Sequence, residues 1–175
     1  MLIAAVIIAA SVSSIAGDLV FDVCQGYYSG IKLPYRKAIS NGDGNGKYAF
    51  VIYLHGGSSK GNDNNKQLAE KGIDSIANYI LRHNEKAVFV VPQCPSDKSW
   101  GGPMLSVLKG LIDEQMQAAD MDHNRIYIFG GSMGGTGTWS MLSAYPELFT
   151  SAMPVAGNPS QCIADNSDFH CYGNC

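Results

Sequence analysis

Four apolar runs, each closed by small or turn-forming residues, frame the chain: Tyr48 to Leu54, Ala87 to Val91, Arg125 to Gly130 and Ser151 to Ala156. Continuous rather than alternating, they read as strands buried on both faces. Between them the apolar spacing is helical. Leu68, Ala69, Ile73, Ile76, Ala77, Ile80 and Leu81 form one stripe. Met104, Val107, Leu108, Leu111, Ile112, Met116 and Ala119 form a second, with Pro103 in its first turn and Asp120 to Asn124 closing it. Gly110 inside that helix costs about 1 kcal/mol relative to alanine. Met133 to Ala144 gives a third helix, stopped by Tyr145-Pro146. Upstream, Leu19 to Cys24 and Ile31 to Ala38 mix polar and apolar positions as an antiparallel pair would, with a turn at Tyr27 to Gly30. The order after Lys47 alternates strand and helix. That predicts an α/β fold: a doubly wound, mostly parallel sheet in three α/β/α layers, with a ligand site at the strands' carboxyl ends.

Residues 1–16 stand apart. An unbroken apolar run from Leu2 to Ala10 followed by Ser14-Ile15-Ala16 fits a signal-peptide core with a small-x-small cleavage site, and is short for a membrane span. No Lys or Arg precedes Lys32, so a hydrophobic N-terminal strand is the alternative. The expected organisation is a signal peptide at 1–16, a core at 17–158 and an irregular tail at 159–175, in a secreted or periplasmic protein with no stable membrane insertion once the signal is removed.

The remaining composition narrows the chemistry. A formal net charge of −3 gives no electrostatic case for nucleic acid, and 46% hydrophobic residues argue against disorder. Five scattered cysteines do not make the paired spacings of a zinc site, and their odd count leaves one unpaired. Asp43 and Asn45 have the spacing of a calcium loop's first ligands, but the rest of the set and its closing Glu are missing, so a plain connection is expected. No metal or cofactor is expected.

The candidate chemistry lies in Gly130-Gly-Ser-Met-Gly134, between the third apolar strand and the third helix. This is the G-x-S-x-G arrangement in which residues without a Cβ let the chain turn sharply and lift Ser132 above the sheet edge. The helix that follows aims free amides at the same place. A phosphate loop is excluded because no Gly-Lys-Ser/Thr follows. The strand Tyr48 to Leu54 runs into His55-Gly-Gly-Ser58, where an N–H of Gly57 or Ser58 would join that of Met133 as an oxyanion hole. His55 precedes the serine and is expected to brace this loop beside the substrate, with Gly131 lining the cleft and Trp100 either lining it or packing in the core.

Leu33-Pro-Tyr-Arg36, Tyr53-Leu-His-Gly-Gly57, Gly61-Asn-Asp63, Val91-Pro-Gln-Cys-Pro95, Trp100, Asp122 to Ile126, Gly130-Gly-Ser-Met-Gly-Gly135 and Pro154-Val-Ala-Gly157 occur in this order. Over roughly residues 18–158 the chain resembles the α/β-hydrolases. Within them it is similar to the bacterial secreted esterases and predicted peptidases related to phospholipase/carboxylesterase, dienelactone hydrolase and polyhydroxybutyrate depolymerase enzymes. The resemblance implies Ser132 as nucleophile, the Met133 and Gly57 amides as oxyanion hole, and a small ester or acyl compound as substrate. It leaves the oligomeric state open.

These hydrolases place an acid and a histidine after the serine, each following a later strand. Cys175 comes 19 residues after Ala156, and a parallel crossover needs about a dozen before its next strand begins. The expectation is therefore such a hydrolase represented by its N-terminal two thirds or by a shortened form, without the usual acid and base positions. Asp165, Asp168 and His170 are the substitutes in the right order, if the tail folds back, with a disulfide from Cys162 to Cys171 or Cys175 as its one candidate anchor. A non-catalytic, hydrolase-like binding module is the competing reading.

Overall fold

The computed structural model describes residues 19–43 and 46–159. Six strands form one sheet: β1 (Asp22–Tyr28), β2 (Ile31–Ser40), β3 (Tyr48–Leu54), β4 (Ala87–Pro92), β5 (Met121–Gly131) and β6 (Ser151–Val155), in the order β1-β2-β4-β3-β5-β6. β1 and β2 are antiparallel, as are β2 and β4, while β4, β3, β5 and β6 run parallel. Three helices connect the parallel strands: α1 (Lys71–Arg82), α2 (Pro103–Met116) and α3 (Met133–Ala144).

The pleat sorts the apolar runs into two cores. Ala49, Val51 and Tyr53 of β3 and Ala87, Phe89 and Val91 of β4 face Ile73 and Ile80 of α1. Phe50, Ile52, Leu54, Val88 and Val90, the intervening positions, face Val107, Leu108, Leu111 and Ile112 of α2 and Met141 of α3. A strand with a helix on either side must be apolar at every position, which is why β3 and β4 read as unbroken runs. The three-layer α/β/α architecture follows from this division.

Several boundaries differ from the sequence expectation. β1 extends through Tyr27 and Tyr28, which pair with Lys32 and Ile31 across a two-residue turn at Ser29 and Gly30 (φ 49° and 76°), and the Tyr28 ring lies over α2 at Gly110 with its hydroxyl donating to Glu114 Oε2 at 2.7 Å. Leu68 and Ala69 belong to a separate 3-10 turn, Lys66–Ala69, with α1 starting at Lys71. Asp122 to Asn124, expected to close α2, lie inside β5 because its pairing to β3 begins at Met121, opposite Tyr48, with a register shift before Ile126.

Candidate functional site

The carboxyl ends of β3, β5 and β6 meet at one edge of the sheet, where Leu54 pairs with Gly130 and Gly131 with Val155. Ser132 is the single residue between β5 and α3, and it is exposed. Its backbone has φ 55° and ψ −116°, a conformation that L-residues rarely adopt. The strain is held by what surrounds it. Ser132 N–H donates to Val155 O at 2.8 Å, Ser132 O accepts from Thr136 N–H at 3.0 Å, and the side chain does not cap the helix it precedes. Behind the serine, α3 lies so close to β3 that a Cβ on Gly134 would overlap the Leu54 carbonyl. The first amides of α3 are therefore pressed against the end of β3.

The chain leaving β3 lies beside the serine. A Cβ on Gly56 would stand 3.8 Å from Ser132 Cβ, 3.7 Å from Gly131 O and 3.4 Å from Glu70 Oε1. After the buried Gly56, Gly57 and Ser58 are exposed in a 3-10 turn, Gly57–Ser59. That turn is fastened from below: Gly56 N–H donates to Glu70 Oε1 at 3.1 Å and Ser59 Oγ donates to the same oxygen at 2.8 Å. The Tyr53 hydroxyl is 3.2 Å from where a Cβ on Gly131 would be. Burial, and then the charge of Glu70, push the Tyr53 phenol above its ordinary value. Neither Tyr53 nor Glu70 stands out in the sequence. The one signal for Glu70 is its type, because Ser, Thr, Asp and Asn are the usual residues at the N-cap it occupies.

His55 and Trp100 are not where a substrate could reach them. His55 is 0% exposed and both ring nitrogens are engaged: Nε2 accepts from Cys94 N–H at 2.9 Å, which leaves Nδ1 to donate to Gly56 O at 2.6 Å. Trp100, 2% exposed, donates from Nε1 to His55 O at 3.0 Å and meets the imidazole edge-on at 5.2 Å. The expectations that Trp100 lines the cleft and that His55 stands beside the substrate are corrected by this packing. They brace the loop that carries Gly56, and His55 has no nitrogen left to act as base. Gly131, half-buried beside Ser132, remains at the site.

The buried imidazole has a consequence for stability. Burial lowers the His55 pKa from its ordinary 6.5. The unfolded chain then binds a proton below about 6.5 that the folded chain resists, so stability rises with pH and falls as pH drops below that value, by up to about 1.4 kcal/mol per unit. Urea unfolding at pH 7.5 and 5.5 should show this loss, and a His55→Gln variant should lack that share of it.

The other two histidines among the described residues are remote. His83 follows α1 and stacks on Tyr79 at 4.2 Å, and His123 lies near the start of β5, the end opposite the serine. Asp165, Asp168, His170 and residues 1–16 lie outside the described residues. So do Asn45 of the loop before β3 and the cysteines Cys162, Cys171 and Cys175. No helix among the described residues is long and apolar enough to cross a membrane.

No protein-family model matches the chain. It is 35% identical over 79 residues to poly(3-hydroxyalkanoate) depolymerase C of Paucimonas lemoignei, a stretch covering 44% of this chain and 19% of that protein. Among solved structures, a thermostable esterase matches with a TM-score of 0.63 and 30% identity, covering 79% of this chain and 41% of the esterase. An S-formylglutathione hydrolase from Agrobacterium tumefaciens, 18% identical, shares the fold with a TM-score of 0.58 over 83% of this chain and 60% of its own. The chain thus spans less than two thirds of the length of each of these three proteins.

Proposed function

The chain belongs to the α/β-hydrolase superfamily, and on that premise we propose that it is a serine carboxylic-ester hydrolase with Ser132 as nucleophile. Ser132 Oγ would add to the ester carbonyl carbon, the alcohol would leave as the tetrahedral intermediate collapses, and water would then release the acid from the acyl-enzyme. The Met133 amide at the start of α3 and an amide of Gly57 or Ser58 would receive the oxyanion, a role that preorganised donors fill at little reorganisation cost. The observation that carries this reading is the exposed Ser132 at φ 55° beside Gly56, between β5 and α3. The substrate class is a small-molecule ester, as the name of the esterase it resembles suggests.

Attack needs a proton acceptor. His170 is the one histidine of the sequence after Ser132, with Asp165 and Asp168 as candidates to orient it. Without such a base, binding and the oxyanion donors alone leave roughly 10³- to 10⁴-fold over water, and losing the histidine costs on the order of 10⁶ in turnover. That gap makes His170→Ala decisive for whether this chain supplies its own base. The competing reading, an acyl-binding module without turnover, is favoured by the commitment of both His55 nitrogens to the loop.

Two measurements on the whole protein separate the readings: covalent labelling by a fluorophosphonate and hydrolysis of a p-nitrophenyl ester. The hydrolase reading expects both in the wild type and neither in Ser132→Ala. Wild-type protein that takes no label and turns over no ester sinks it.

A further inference from the structure

The side chain of Glu70 is used in an unexpected place. Glu70 occupies the N-cap of α1, where an acceptor would ordinarily satisfy the first free amides of the helix, yet its side chain makes no cap bond. Its Oε1 instead accepts twice from the chain leaving β3, from Gly56 N–H and from Ser59 Oγ. These two donors bracket Gly57 and Ser58, the exposed pair beside the serine. Glu70 Oε1 and Ser132 Cβ flank the same point, 3.4 and 3.8 Å from where a Cβ on Gly56 would stand. An ionised acceptor makes such bonds about twice as strong as a neutral one. One carboxylate thus joins the start of α1 to both ends of the strip.

Resting on the reading of Ser132 as nucleophile, we propose that Glu70 is a positioning residue that fixes the Gly56–Ser59 strip so that its exposed amides stay beside the serine as oxyanion donors. It acts through the strip and takes no proton in the reaction. Three other residues hold the same segment and make Glu70 the support nearest the serine rather than the sole one. His55 holds Gly56 O, Trp100 holds His55 O, and Gln93 Nε2 donates to Ser59 O at 3.2 Å. Those three restrain carbonyls; Glu70 restrains an amide and a hydroxyl. Losing it frees the strip to turn without unfolding the loop beneath it.

The test uses the whole chain with Glu70→Ala, Glu70→Gln and Ser59→Ala. It follows the rate of Ser132 labelling by a fluorophosphonate and the hydrogen exchange of the Gly56–Ser59 amides. Glu70→Ala is expected to slow labelling roughly 10- to 100-fold, in the range for a lost oxyanion donor or somewhat below it. Exchange should speed up in the strip and stay unchanged in β4, which reports an intact fold. Glu70→Gln keeps an acceptor oxygen and should label within about threefold of wild type, and Ser59→Ala, which removes one of the two bonds, should fall in between. The proposal is overturned if Glu70→Ala labels at the wild-type rate, or if Glu70→Gln is as slow as Glu70→Ala. A wild type that takes no label counts against the nucleophile reading alone. The exchange measurement then still decides on Glu70, and unchanged exchange in Glu70→Ala and Ser59→Ala overturns its role.

Discussion

Ser132→Gly is expected to raise the unfolding free energy by about 1 kcal/mol while abolishing covalent labelling. At φ 55° and ψ −116° a serine is held in a conformation costing about 1 to 3 kcal/mol, which glycine adopts without strain. Glycine returns about 0.5 to 1 kcal/mol of that through its greater freedom in the unfolded chain. The difference favours the variant. Ser132→Ala is the control: it loses the hydroxyl but keeps a Cβ in the same strained backbone, so its stability should stay within about 0.5 kcal/mol of wild type. Urea unfolding of the three proteins reads both effects. If glycine is no more stable than alanine, the bend is not strained, and the picture of a serine forced outward by its surroundings fails.

The largest expected loss of stability comes from Gly134→Ala. Helix propensity alone would favour alanine by about 1 kcal/mol inside α3. Packing overrides it. The new Cβ would overlap the Leu54 carbonyl and stand 2.9 Å from His55 O, and both neighbours are backbone that no rotamer change can move. Forcing α3 away from β3 should destabilise by at least about 3 kcal/mol and shift the first amides of α3 relative to Gly57. Gly57→Ala provides the contrast, because no atom lies within 4 Å of where its Cβ would be. Its stability should change by no more than about 0.5 kcal/mol. Similar urea midpoints for the two variants would mean that α3 does not press on β3 as described.

The parts of this fold legible in the sequence are those that short-range pattern dictates. β3 and α3 appear with the expected bounds, Tyr48–Leu54 and Met133–Ala144, because unbroken apolarity and a run of small residues each allow few alternatives. Elsewhere the pattern misleads. Tyr27 and Tyr28 look like the approach to a turn, but the turn is confined to Ser29 and Gly30, both at positive φ, so they pair with Lys32 and Ile31, and the contacts of Tyr28 with Gly110 and with Glu114, 86 residues away, add to what holds it there. Leu68 continues the helical spacing of α1, yet the chain turns at Glu70 before that helix begins. At the site, Ser132 is marked by its glycines. Trp100 is marked only as an aromatic after a proline-rich loop, and periodicity does not say which way its indole faces; the carbonyl of His55 settles that. Glu70 belongs to no motif, since its role depends on two loops meeting in space.

The hydrogen bond from Ser132 N–H to Val155 O ties the proposed nucleophile to a strand outside the proposed site. The next turn continues the attachment, with Asn158 N–H donating to Thr136 Oγ1 at 2.9 Å and Gly157 lying against the backbone of Gly135. On the reading of Ser132 as nucleophile, a saturation-mutagenesis screen scored on turnover would therefore return loss of function at Gly157, where any Cβ would overlap the Gly135 backbone, whereas Val155 and Asn158 hold on through backbone groups that most substitutions keep. Mapped without coordinates, that position would look like a substrate contact, though it sets only the attitude of the serine.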